Sequence, residues 1–187
     1  MFGELVKRCR SYRRFDRKRS IDRAEMEKMV ENARLSASGA NRQPLKYYIS
    51  NRKEMNDLIF PTLSWAGYLT KWDGRGPSQR PSGYIVILGD REISDHFFVD
   101  HGIAAWSILL TATDMGLGGC MIASVDRKEL GRVLELEDRY EILLVVALGK
   151  PDEDMVIETA KDGDIEYYRE DDIHHVPKRS MDELIIN

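Results

Sequence analysis

The sequence predicts helices layered on a sheet, and three observations carry that prediction. Two continuous apolar runs, residues 84–89 and 140–148, have the length and character of buried strands. Apolar residues at helical spacing recur at 26–33 and across 94–115. Helix and strand patterns then alternate, and no internal repeat, low-complexity tract or linker divides the 187 residues, so a single domain is expected. The order reads helix, helix, strand, helix, strand, long helix, strand, helix, strand, tail.

Each element has a local reason. Asp22 is placed as an N-cap, Glu25 closes a capping box three residues on, and Ile21 can staple onto Met26. Met26, Met29, Val30 and Ala33 form the inward face of that amphipathic helix. After the loop 36–44 comes a short strand at 47–50. Asn51 is then expected to cap a helix with Met55, Leu58 and Ile59 inward, stopped by Pro61. From 63 to 81 no period survives, and Trp65, Tyr68 and Trp72 stand among Gly74, Gly76 and Pro77. An irregular stretch of this length in a compact domain reads as a functional flap with aromatic contacts to a planar substrate. Trp65 or Trp72 plugging the core is the alternative. The helix at 94–115 carries Phe98, Gly102, Ala105, Trp106, Leu109, Leu110 and Thr113, apolar over more than half its circumference. That marks a central helix or one packed on a partner chain, and Gly116 ends it. The run GLGGCMIAS leads into a short strand. Asp126 with Glu129, and Val125 with Leu130, repeat the cap and staple and open a helix with Val133 and Leu134 inward. Beyond Gly149 and Pro151 the chain turns acidic, with a hairpin expected around Asp162 and Gly163. The tail, residues 152–187, has little core of its own and needs something to lie on, such as a partner subunit.

Composition narrows the class of function. With 42% hydrophobic and 32% charged residues and a net charge of −4, the chain reads as soluble and globular, with no overall basic field to draw it to nucleic acid or anionic lipid. Its longest apolar run, 142–148, is far shorter than the ~20 residues of a membrane span. The N-terminus MFGELVKRCR lacks the apolar core of a secretory signal, and the two cysteines, Cys9 and Cys120, form no disulfide or zinc pattern. A reducing, cytoplasmic home is expected.

Residues 7–23 reverse the overall charge, with nine Lys or Arg against Asp16 and Asp22. A nucleic-acid surface would interleave stacking aromatics or offer a reading helix, and neither is present. A solvated face describes Arg17, Lys18 and Arg19. Arg10, Ser11 and Arg13, flanking Tyr12, instead suit a phosphate or an electron-rich ring, which guanidinium forks grip well. The loop SASGANRQP gathers Ser36, Ser38, Gly39, Asn41 and Gln43 before Pro44. These groups suit a polar, flat, nucleotide-sized ligand, although the same residue types also make ordinary connections. His174 and His175, in an extended segment, point to opposite sides without a third ligand, so no metal is expected. Cys120 reads as a small buried thiol, and Asp100 and His101 as structural polar groups, His101 with the alternative of facing an interface.

Three segments align in order with one family: CRSYRRF, SASGANRQPLKYYI, and DHGIAAWSILLTATDMGLGGCMI before a strand ending in ALGKP. Together they resemble the FMN-dependent nitroreductases, over nearly the whole chain. The resemblance implies an α+β fold with a mixed, mostly antiparallel sheet flanked by helices, in an intertwined homodimer with FMN at the interface. It implicates Arg10, Ser11 and Arg13 from one chain, and Ser38, Gly39, Asn41 and Gln43 from the other. Met121, Ile122 and Ala123 would run along the ring near N5, and Lys178 and Arg179 would meet the phosphate. The implied cycle is ping-pong: NADH or NADPH gives hydride to FMN, and a nitroaromatic, a quinone or a similar small acceptor then takes it. No side-chain nucleophile is needed, and Arg13 would stabilise charge at N1 and the C2 carbonyl. Two departures stand out, since Cys9 replaces the first arginine of the family's pair and Ala37 a proline of its loop. The residue facing the pyrimidine edge does not align through 63–81. Other readings are a flavin store or redox sensor without turnover, a flavin-cleaving or reductively dehalogenating relative, and a nucleic-acid module using residues 7–23.

Overall fold

The structure is a computed structural model and describes residues 1–69 and 76–187. Its centre is a sheet in the order β1–β5–β3–β2, built from β1 (Phe15–Asp16), β2 (Leu45–Ser50), β3 (Gly83–Asp90) and β5 (Tyr140–Pro151). A fifth strand, β4 (Gly118–Ile122), also pairs with β5. Every ladder of this sheet is antiparallel. Among the described residues, parallel pairing is confined to β6 (Met155–Thr159) on β8 (Ile173–Lys178) and a bridge between Ser11 and Gly119. The expected α+β arrangement, a mostly antiparallel sheet flanked by helices, is what the chain forms.

Alternation along β3 and β5 sends side chains into two cores, which is why both strands read as continuous apolar runs. Ile85, Ile87, Leu144, Val146 and Leu148 meet α2 (Arg23–Arg34) and α4 (Asp100–Asp114) on one face. Tyr84, Val86, Leu88, Val145 and Ala147 meet α3 (Lys53–Ile59) and α5 (Arg127–Val133) on the other. A register shift between Ile87 and Leu88 puts Ile142 on the same face as Val145. Fully burying each such aliphatic side chain contributes roughly 1.5 to 3 kcal/mol.

The Asp22–Glu25 capping box forms as expected, and Ile21 and Met26 are both buried in one cluster. The next helix departs from expectation. Asn51 does not cap α3; its amide donates to the Ile21 carbonyl at 3.2 Å. Leu58 is 53% exposed, and Asn56 is buried instead, accepting from Ser50 Oγ and donating to the Ser82 carbonyl at 2.7 and 2.8 Å. The ends of β2 and β3 leave polar groups that only a polar side chain can satisfy. The long helix starts at Asp100 rather than 94, because Phe98 takes a left-handed φ of 44° that breaks the helical path. Arg17 is not a solvated group: it pairs with Asp57 at 2.8 Å and donates to the Pro77 carbonyl.

The tail differs most. At Asp162 and Gly163 both φ values are positive, yet the turn closes only a Lys161–Asp164 bridge. The tail's true hairpin joins β7 (Tyr168–Glu170) to β8 through Asp171 and Asp172, with φ of 47° and 67°. Aspartates tolerate that left-handed turn better than most residues. These strands lie on their own chain's N-terminal segment: Asp152 N–H donates to the Arg14 carbonyl, and Arg14 pairs with Asp172 at 2.6 Å. Beyond them, α6 (Met181–Leu184) and the last residues leave Met181, Leu184, Ile185 and Ile186 exposed. No helix among the described residues is long and apolar enough to cross a membrane.

Candidate functional site

A cavity of about 370 Å³ opens where the N-terminal segment, α4, β4 and β8 meet. Arg10, Ser11, Arg13, Met121 and Lys178, five of the residues singled out in the sequence, line it together. Cys9, Trp106, Leu109, Met155, Tyr167, His174 and Val176 also line it, and among the described residues no carboxylate does. Strand alternation explains the β8 contribution, since His174, Val176 and Lys178 share one face. Arg179 falls outside, exposed and paired with Glu183 at 3.2 Å. A smaller cavity of about 190 Å³ adjoins the first through Arg13 and Met121, and Trp65, Ile122 and Ala123 line it. Trp65 both edges this space and packs against the core beside Phe60, with ring centroids 5.8 Å apart, which is the core-packing alternative. Trp72 lies outside the described residues.

Arg13 is the most constrained of these cations, at 9% exposure. Its Nη1 donates to the Ser11 carbonyl and lies 3.2 Å from His174 Nε2, and its guanidinium carbon sits 4.4 Å from the centre of the Tyr167 ring. Tyr68 of the flap packs edge-on against the same tyrosine, centroids 5.0 Å apart. Arg10 is steered by backbone carbonyls, those of Cys9 and Val6. Tyr167, His174 and Trp106 were missed as site residues, because nothing near 167–174 matches a motif and Trp106 reads as one more apolar helix position. Burial pushes the Cys9 thiol up, and Cys9 and Cys120 are both buried.

The serine loop forms a different site. Ser38 Oγ donates to Asp100 Oδ2 at 2.6 Å, Gly39 N–H to Oδ1 at 3.0 Å, and Gln43 N–H to Ser38 Oγ at 2.9 Å. This buried carboxylate holds open a loop in which Ala40, Asn41 and Gln43 all take positive φ, between 51° and 54°. Asp100, expected to be structural, is therefore the loop's anchor. Replacing it with alanine strands two donors and is expected to cost about 2 to 3 kcal/mol, read as a lowered Tm. A pocket of about 140 Å³ behind the loop is lined by Ser36, Ser38, Gln43, Tyr47 and Asp100, and Tyr47 is pushed up to about 12 by burial and then by the Asp100 charge. It shares no lining residue with the cationic cavity. One chain thus carries the two halves of the expected constellation in separate places.

His174 gives a pH dependence. Burial first, then the charges of Arg13, Arg169, His175 and Arg14, push its pKa from 6.5 down to about 4. The unfolded chain therefore binds a proton between those values that the folded chain refuses. Its stabilising effect is complete above pH 6.5 and is lost as pH falls toward 4, up to about 3 kcal/mol. The urea midpoint of the native protein is expected to fall relative to that of His174→Gln, which has no imidazole to titrate, as pH is lowered over that window. His175 faces away from the cavity and meets Glu158, and among the described residues no group of three or more His, Cys, Asp or Glu could hold a metal.

An antiparallel sheet between helix pairs, with a cationic, aromatic-walled cavity beside it, defines an α+β protein. The chain belongs to the nitroreductase family, whose model matches residues 6–150. A relative from Archaeoglobus fulgidus, provisionally named NADH dehydrogenase/NAD(P)H nitroreductase, is 26% identical over 141 residues, 71% of this chain and 76% of that one. Among solved structures, a nitroreductase family protein from Streptococcus pneumoniae superposes with a TM-score of 0.69 at 19% identity, covering 100% of both chains. A provisionally named nitroreductase from Exiguobacterium sibiricum, solved in complex with FMN, gives 0.69 at 20% identity over 82% of this chain and 89% of that one.

Proposed function

We propose that this chain is an FMN-dependent oxidoreductase that uses NADH or NADPH and acts as a homodimer, one domain spanning residues 1–187. The observation that carries the reading is the cavity bearing Arg10, Arg13 and Lys178 with no acid in its wall among the described residues. Three cations around one space repel each other unless an anion sits among them, and a phosphate with up to two charges answers that need. Family membership and the FMN complex of the Exiguobacterium protein support the choice of ligand. The Archaeoglobus relative's name supports a nicotinamide reductant.

In this reading Arg10 and Lys178 hold the phosphate, Ser11 adds a contact, and Arg13 faces the N1–C2 edge of the ring. The backbone at Met121, Ile122 and Ala123 lies along the ring, and Trp65 and Tyr68 wall the slot for a planar acceptor. Ser38, Gly39, Asn41 and Gln43 come from a second copy, since within one chain Ser38 and Gln43 line a different pocket and none of the four lines the cationic cavity. Phe98, Val99 and Trp106 on and beside α4, with the apolar end of the tail, offer that copy an exposed surface. Bound FMN would supply two-electron chemistry, taking hydride from the nicotinamide and passing it in a ping-pong cycle to a nitroaromatic, quinone or similar acceptor. The free, buried Cys9 thiol suits a reducing compartment, in keeping with a cytoplasmic protein.

The test is direct. Purified protein titrated with FMN should bind it, bleach anaerobically with NADH or NADPH, and recolour with a nitroaromatic or quinone. Arg10→Ala should weaken FMN binding about 10- to 100-fold, the loss of one charged contact. A dimeric protein that takes FMN but never bleaches is a store or sensor instead. Protein indifferent to FMN ends the proposal.

A further inference from the structure

We propose that His174 is a positioning residue for Arg13: as a neutral acceptor it aims the guanidinium at the cofactor ring without cancelling its charge. The inference rests on the reading of Arg13 as the ring contact. A guanidinium carries donors only, so at 3.2 Å from Arg13 Nη1 the His174 Nε2 must offer its lone pair. The Ser11 carbonyl holds a second direction and the Tyr167 ring the face. All three holders are uncharged. An aspartate or glutamate in the place of His174 would orient Arg13 equally well but would neutralise it. The acid that reaches this segment, Glu153, is engaged elsewhere: it accepts from the backbone N–H groups of Arg13 and Arg14 and from the Arg169 side chain.

The surroundings enforce the neutral form. His174 is 1% exposed, and Arg169 is its cross-strand neighbour. With Nε2 accepting, the proton of the neutral ring lies on Nδ1. Among the described residues that atom has no partner, nor do Nε and Nη1 of Arg169. After burial, the charges of Arg13, Arg169, His175 and Arg14 all oppose a proton on the imidazole, which agrees with its depressed pKa. An unpartnered buried N–H is costly, so a purely structural position would be better served by an apolar residue. What histidine adds is the acceptor at Nε2.

The experiment compares FMN-loaded native protein with His174→Gln, His174→Glu and His174→Leu. Glutamine places its carboxamide oxygen near the Nε2 position, glutamate adds a charge, and leucine fills space alone. His174→Leu is expected to lose about tenfold of its preference for reduced over oxidised FMN. That moves the midpoint potential about 30 mV more negative for a two-electron couple. His174→Glu should fall at least as far, and His174→Gln should stay near the native value. Nitrogen-15 spectra of the imidazole in FMN-free protein should show Nδ1 protonated and Nε2 bare. Equal potentials across the set, or a proton on Nε2, would overturn the proposal. Should His174→Leu fail to fold, glutamine against glutamate still decides it. If the native protein takes no FMN, the functional reading fails and the cofactor half of this one with it, while the spectra still decide the His174–Arg13 contact.

Discussion

Replacing Glu153 with alanine is expected to lower stability by about 3 to 5 kcal/mol, the largest effect of any single side-chain truncation predicted for this protein. The carboxylate is 0% exposed. One oxygen accepts from the backbone N–H groups of Arg13 and Arg14, and the other accepts from the Arg169 side chain. Truncation strands two backbone donors and leaves a guanidinium uncompensated in a place where burial already pushes the Arg169 pKa down. The cost is the desolvated charge left behind more than the contact itself. Glu153→Met combined with Arg169→Leu should therefore recover much of the loss, although the two N–H groups stay unpaired. Urea unfolding of the single and double variants measures the difference. A single variant within 1 kcal/mol of native, by that order-of-magnitude scale, sinks the account. The same clamp fixes the backbone at Arg13, so Glu153→Ala should also weaken FMN binding without touching the cofactor.

Glu153 shows what the sequence could and could not reveal. The sheet and its helices were legible because each is written locally: Asp22 and Glu25 form their box, and the apolar runs at 84–89 and 140–148 lie inside β3 and β5. Failures came where long-range partners decide. Leu58 and Asn56 exchange roles because polar groups at Ser50 and Ser82 claim the asparagine. The tail read as an acidic strip without a core, yet one acid in it is buried against arginines some 140 positions earlier, which no local pattern encodes. The site divides along the same line. Arg10, Ser11, Arg13, Met121 and Lys178 were legible as motif positions and share a cavity, whereas Tyr167 and His174 join them only through the folding of the tail. Arg179 lies outside this cavity for a simple geometric reason: it follows Lys178 in an extended segment and pairs with Glu183 instead.

Gly119→Ala is the second large effect, and it links sheet to site. A Cβ at Gly119 would stand 2.3 Å from the carbonyl oxygen of Ala147 on the neighbouring strand, and 2.8 Å from Leu109 Cδ2. A side chain can turn aside, but a carbonyl inside the β4–β5 ladder cannot move without breaking the pairing on both sides. The expected cost is about 4 kcal/mol, at the upper end for overpacking. Gly119 is also where the N-terminal segment docks: Ser11 bridges to it, and Tyr12 N–H donates to its carbonyl at 2.9 Å. Displacing β4 therefore shifts Met121 and Ser11, both of which line the cationic cavity. FMN affinity should fall along with Tm, even in protein that remains folded. Gly131→Ala is the control, because its Cβ meets nothing within 4 Å in the middle of α5, and there alanine should stabilise by about 0.5 to 1 kcal/mol. If both substitutions behaved alike, the close approach of β4 to β5 would not be what demands glycine at 119.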